Sequence, residues 1–102
     1  MSKFIHSDLG ERAQGEVVEV TLTARANVLL LDDQNFRQYS AGQGHRYFGG
    51  MASRSPVRLA IPSPGHWHVA VDLQGLQGSV RASFRMIDVE APQASTRLDT
   101  EV

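Results

Sequence analysis

The sequence predicts an all-β fold: an antiparallel β-sandwich of jelly-roll-like kind with about seven or eight strands. Three observations carry that prediction. Four runs alternate apolar and polar residues with a period of two. Such alternation puts every second side chain on one buried face. Glycine- and proline-rich turns separate the runs. A further apolar run, Ala26 to Asp32, is of strand length.

In chain order, Lys3 to Leu9 reads as a first strand, with Phe4 in phase with His6 and Asp8. Gly15-Glu16 marks a turn before the alternation of Val18, Val20 and Leu22. Ala26 to Asp32, with Val28, Leu29, Leu30 and Leu31 in succession, reads as a strand covered on both faces. Residues 33–41 have the character of one short helix. Asp32 or Asp33 is placed to cap it, Phe36 and Tyr39 share a side, and Gly42 is placed to end it. Gly42 to Ser55 is expected to be a long irregular loop around Tyr47-Phe48. Val57, Leu59 and Ile61 alternate next. Ser63-Pro64-Gly65 forces a reversal, because proline fixes φ and glycine allows φ > 0. Trp67, Val69, Val71 and Leu73 form the third alternating run, and Val80, Ala82, Phe84 and Met86 the fourth. Between them, Gly75 and Gly78 suit a hairpin. Trp67, Phe84 and Phe36 are the expected large core rings.

The 102 residues suit one domain. Residues 1–90 are assigned to the sandwich and residues 91–102 to a disordered acidic tail. There is no cysteine, which excludes a disulfide scaffold, a thiolate zinc site and a cysteine nucleophile. No apolar run reaches the roughly 20 residues that span a bilayer and no secretory h-region is present, so a cytoplasmic protein without a membrane role is expected.

Net charge is −1, but its distribution is uneven. No Asp or Glu occurs between Gln34 and Val71, a stretch that holds Arg37, Arg46, Arg54 and Arg58 with His45, His66 and His68. Residues 88–102 carry Asp88, Glu90, Asp99 and Glu101 against Arg97 alone. The basic stretch suits an anionic ligand or an acidic partner. Equally, strands carry arginine on wet faces and pair it with distant acids. Lysine is nearly absent and no aromatic stripe interleaves the basic residues, which argues against nucleic acid.

The sharpest candidate chemistry is His66-x-His68-x-x-x-Asp72. On a strand these positions share a face, and two imidazoles with a carboxylate suit a divalent metal. The spacing is similar to the first motif of the cupins. It departs from them in Asp72, where cupins prefer glutamate, and in the lack of any histidine after His68; His45 or His6 would have to complete the set. The competing reading leaves both histidines in water, opposite a core of Trp67, Val69 and Val71. A second candidate is the loop. Arg46 and Arg54 flank glycines whose backbone N–H groups can approach an anion, and Tyr47 stands beside Arg46. Gly49-Gly50 has neither P-loop nor dinucleotide-binding spacing, and no Gly-x-Ser-x-Gly or His-Glu-x-x-His is present.

The blocks His45-Arg46-Tyr47-Phe48-Gly49-Gly50, Arg54-Ser55-Pro56-Val57, Gly65-His66-Trp67-His68-Val69-x-Val71-Asp72-Leu73 and Gly78-x-Val80-Arg81-Ala82-Ser83 resemble a small bacterial family, domain of unknown function 1883. The likeness covers Phe4 to Met86. It implies a β-sandwich without an established activity. In longer relatives such a domain resembles an N-terminal partner of TIR-like signalling domains, which points to recognition more than to catalysis. The family supplies no functional residues to carry over.

The expected function is therefore a non-catalytic binding or protein-interaction module, using His45, Arg46, Tyr47, Arg54, His66 and His68 toward another protein or a small anionic ligand, with no cofactor. One alternative is a metal-dependent, cupin-like enzyme with His66, His68 and Asp72 holding a divalent ion. Another is a small homo-oligomer that pairs sheet edges.

Overall fold

A computed structural model describes residues 4–87. The acidic tail expected over residues 91–102 lies outside the described residues. The strands are β1 (Phe4–Arg12), β2 (Val17–Leu22), β3 (Ala26–Asp32), β4 (Phe48–Ala52), β5 (Val57–Ala60), β6 (Gly65–Asp72) and β7 (Ala82–Ile87), with one helix, α1 (Asp33–Ser40), between β3 and β4. They form two antiparallel sheets, ordered β1-β6-β3-β4 and β5-β2-β7. The fold is an all-β sandwich, and apart from the β3–α1–β4 excursion each strand crosses to the other sheet, as in a jelly roll. Among the described residues no helix is long and apolar enough to cross a membrane.

The alternating runs explain the packing. Val18, Val20 and Leu22 of β2, Val28 and Leu30 of β3, and Trp67, Val69 and Val71 of β6 are buried together between the sheets. Phe84 and Met86 of β7 pack against them while remaining partly accessible. The intervening positions of β3 and β6 face outward but are covered as well. Leu29, Leu31 and Ala70 form a second apolar cluster with Tyr39 of α1, flanked by Phe4 and Phe36. Thus β3 is apolar at successive positions because the second sheet covers one face and α1 the other. The helix begins where expected: the Asp32 side chain caps it, Oδ1 accepting the Asn35 N–H at 2.8 Å.

Two expectations change. The Gly42–Ser55 segment is not irregular throughout, because it contains β4, which pairs with β3 from Leu30↔Phe48 to Ala26↔Ala52. Alternation was no guide to it, since glycines occupy two of its five positions. Gly49 is required by contact: it has φ +109, and a Cβ there would lie 2.3 Å from the Val28 carbonyl oxygen. Nor is the connection bearing Gly75 and Gly78 a hairpin. Strands β6 and β7 belong to different sheets, so it is a crossover, with a local turn in which Leu76 N–H donates to Leu73 O at 2.7 Å. Turn residues alone do not distinguish a hairpin from a crossover.

Leu30 is fully buried in the core between the sheets. Leu30→Ala should lower the unfolding free energy by about 2–5 kcal/mol, read as an earlier urea midpoint at unchanged slope. Gly49→Ala should act locally, speeding amide exchange along β3 and β4 and leaving β2–β7 protected. Equal exchange in both sheets would contradict the close approach of Gly49 to Val28.

Candidate functional site: a histidine-rich sheet face and an apolar edge strand

Antiparallel pairing of β1 with β6 brings the two polar motifs together. Asp8 lies opposite His68 and His6 opposite Ala70, so His6, Asp8, His66 and His68 share the outer face of the four-stranded sheet. A register shift between Asp8 and Gly10 follows, which leaves Glu11 opposite His66. Helix α1 covers part of this face. The Phe36 ring stacks on both His6 (centroids 4.1 Å) and His68 (4.4 Å), and His66 stacks on His68 at 4.9 Å. The face read as wet is therefore only partly so: His68 is 5% exposed, whereas His66 stays half-buried and His6 exposed.

The rings are wired by hydrogen bonds. His68 Nε2 lies 2.9 Å from Asp33 Oδ1, and His68 Nδ1 lies 2.9 Å from His6 Nε2. Arg37 first, and His68 second, hold the Asp33 carboxyl down to about 2, so at neutral pH it only accepts. His68 Nε2 is then the donor. In the neutral ring Nδ1 accepts from His6 Nε2–H, which leaves His6 Nδ1 with the lone pair. Burial, then the neighbouring His68, lowers the His6 pKa and favours that neutral form. Alongside, His66 Nε2 donates to Asp8 Oδ1 at 2.6 Å, and the same oxygen accepts the Gly10 N–H at 2.8 Å. These bonds hold Asp8 below the usual carboxylate range, the Gly10 N–H contributing most.

Asp72, expected with the histidines, is engaged elsewhere. Its Oδ2 accepts the Tyr39 hydroxyl at 2.6 Å, and its Oδ1 accepts Asn27 Nδ2 at 2.8 Å and Gln74 N–H at 3.1 Å. Burial, then Asp72, raises the Tyr39 pKa, so the phenol stays protonated and donates. The carboxylate that lies beside both histidines is Asp8: ligand atoms of Asp8, His66 and His68 all fall within 4.8 Å of one another. His45 and His6 are not part of that group.

The loop candidates gather at the other side of α1. His45 packs between Tyr39 and Tyr47, at 5.1 and 5.8 Å, and its Nδ1 donates to Gln43 O at 2.9 Å. Arg46 N–H donates to Asn35 Oδ1 at 2.7 Å. His45, Arg46, Tyr47 and Phe48 line an open groove of about 650 Å³ whose floor includes Leu30 and Trp67. Arg54 lies past the far end of β4. Neither Arg46 nor Arg54 forms an ion pair among the described residues, whereas Arg37 pairs with Asp33 and Arg58 with Glu19. Sequence reasoning missed Asp8, Asp33 and Met51. The in-phase Phe4-x-His6-x-Asp8 was visible, but the β1–β6 partnership that gives it meaning spans sixty residues of chain.

The family model described as Domain of unknown function (DUF1883) matches residues 2–90. The chain belongs to this family. No curated protein and no solved structure matches it. The DUF1883 match covers every strand and the helix, so the histidine face and β4 are both part of the family domain.

Within this DUF1883 domain the Tyr39–Asp72 bond fastens α1 to the sheet. Tyr39→Phe removes the donor and leaves Asp72 Oδ2 without a partner, which should cost about 1–3 kcal/mol in urea denaturation. A variant as stable as the wild type would show that the ring contacts with Phe4 and Phe36 hold the helix unaided.

Proposed function

We propose that this domain is a non-catalytic recognition module that binds a partner protein along β4 and the loop leading into it. One observation carries the reading. The exposed large apolar residues among those described are Tyr47, Phe48 and Met51, at 48%, 52% and 57%, and all lie within five consecutive positions. Exposed apolar groups concentrated in this way mark interaction surfaces, whereas isolated ones are ordinary.

Three further features support it. Strand β4 ends its sheet, so one of its backbone edges is free of a strand partner. Phe48 points to the face shared with Leu30 and touches Trp67 edge-on, while Tyr47 and Met51 belong to the opposite face, so the strand is apolar on both sides of that edge. Arg46 and Arg54 bracket it, and no acid lies between Gln34 and Val71. The complementary partner is an extended segment with apolar side chains and carboxylates, laid along the open edge. His66 and His68 lie on the other side of α1 and are not part of this surface.

Peptides selected from a random display library should be rich in Asp or Glu beside aromatic or branched residues. The double variant Phe48→Ser/Met51→Lys should bind them at least about tenfold more weakly, a loss of about 1.4 kcal/mol. Arg46→Glu/Arg54→Glu should reduce binding most at low salt. Equal binding by the wild type and the Phe48→Ser/Met51→Lys variant would place the surface elsewhere. A wild-type mass that doubles with concentration, and does not in that variant, would assign the edge to a second copy of the chain.

A further inference from the structure

The geometry points to a second, separate site: we infer that Asp8, His66 and His68 bind one divalent transition-metal ion of the zinc class on the outer face of the four-stranded sheet. The ligand set is assembled across two strands. His66 and His68 stand on the same face of β6, which is hydrogen-bonded on both sides, and Asp8 is the direct cross-strand neighbour of His68. One ligand atom from each lies within 4.8 Å of the others. Ligand atoms around a tetrahedral zinc ion are about 3.3 Å apart, given zinc–nitrogen bonds of about 2.0–2.1 Å. Asp8 and His66, whose side chains are part-exposed, are the ligands with room to turn toward His68 and close that difference.

The surroundings match what such a site requires. Whichever ring nitrogen of His68 meets the ion, the other keeps a partner, Asp33 at Nε2 or His6 at Nδ1. A metal-bound imidazole held from behind by a carboxylate or a second polar group is the usual arrangement, since it fixes the ring and raises its basicity. Phe36 stacked on His68 gives the ring one orientation. Asp8 Oδ2 has no partner among the described residues, while Oδ1 is anchored by Gly10 N–H, so one oxygen is free to ligate. The side chains of His66 and Asp8 are 36% and 53% exposed, which leaves a path for the ion. Two imidazoles and one carboxylate without a thiolate select a transition metal over magnesium or calcium and leave positions open for water. The hydrogen bond between His66 Nε2 and Asp8 Oδ1 occupies the place the ion would take; the ion replaces its proton.

The full chain, stripped with a chelator and dialysed, is titrated with Zn²⁺ and separately with Co²⁺, followed by calorimetry and by the visible cobalt spectrum. One ion per chain and a cobalt d–d band are expected. His66→Ala and Asp8→Asn, both at accessible positions, should weaken binding at least about tenfold. Asp72→Asn and His45→Ala, if folded by circular dichroism, should bind as the wild type does. Retained cobalt binding in folded His66→Ala or Asp8→Asn overturns the site, as does the absence of any one-to-one binding by the wild type. Loss in Asp72→Asn while Asp8→Asn still binds would overturn it in favour of the linear His66, His68 and Asp72 set. The β4 edge is untouched by His66→Ala and Asp8→Asn, which decide the metal site, so either surface can fail without the other.

Discussion

The central pair of strands, β3 and β6, is buried on both faces, and the rest of the structure is arranged around that constraint. Their inward residues, Val28, Leu30, Trp67, Val69 and Val71, fill the space between the sheets. Their outward residues lie under α1 or beside it. A strand buried on both sides would ordinarily be apolar throughout, and β3 nearly is. Strand β6 is not, because it carries His66, His68 and Asp72 at three of its four outward positions, with Ala70 at the other. Once a helix covers such groups, each must find a partner inside the protein or cost the free energy of an unmade hydrogen bond. That requirement accounts for Tyr39 on Asp72 and Asp33 on His68, both supplied by α1, and for His6 and Asp8, both supplied by β1. The helix and the edge strand are thus specified by the polar groups of β6 as well as by its apolar ones.

The same demand divides the arginines. Glu19 on β2 is buried at 6% exposure between Arg85 and Arg58, its direct neighbours on β7 and β5. Both guanidinium groups bond it, Arg85 with the larger effect, and they hold its carboxyl below the ordinary range. Arg37 is matched by Asp33 one helical turn earlier. The acid-free stretch between Gln34 and Val71 is therefore only partly a surplus of charge: one distant acid, Glu19, reaches Arg58, and an acid just before the stretch reaches Arg37. The two arginines of that stretch without an ion partner among the described residues, Arg46 and Arg54, bracket the strand whose apolar residues are exposed. Coincidence of uncompensated charge with exposed apolar surface is more informative than either alone, because the two have different physical origins.

Much of this was legible in the sequence, and the reason is periodicity. Val18-x-Val20-x-Leu22 and Trp67-x-Val69-x-Val71 state their burial directly, and Asp32 followed by Phe36 and Tyr39 states a short capped helix over a sheet. Shared faces were legible too: His66 and His68 do lie on one side of β6. What a period cannot supply is which strand lies next to which. The neighbour of His68 is Asp8, whose position depends on β6 being inserted between β1 and β3. From spacing alone Asp72 was the nearer carboxylate, yet along a strand four residues span about 13 Å, beyond the reach of one ion shared with His68 unless long side chains lean together. A cross-strand partner stands about 5 Å away. Local spacing on a strand therefore points to a more distant carboxylate whenever a neighbouring strand offers a nearer one.

Strand β4 escaped periodicity for a different reason. It is recognisable neither by alternation nor by branched residues, and Gly49 and Gly50 both adopt positive φ. Natural sheets commonly protect an edge by bending it or by placing charge on it. Here charge flanks the edge, at Arg46 and Arg54, but the exposed side chains between them stay apolar. If protection from indiscriminate pairing were the whole requirement, Tyr47, Phe48 and Met51 would be the first positions to become polar, since none of them is needed to fill the core. On the reading proposed above, an edge flanked by positive charge, yet apolar on both faces, resists pairing with a copy of itself through like-charge repulsion while remaining open to an acidic segment. Selectivity of this kind comes from the repulsive element as much as from the attractive one, and it is the edge strand, not the polar face of β6, that carries both.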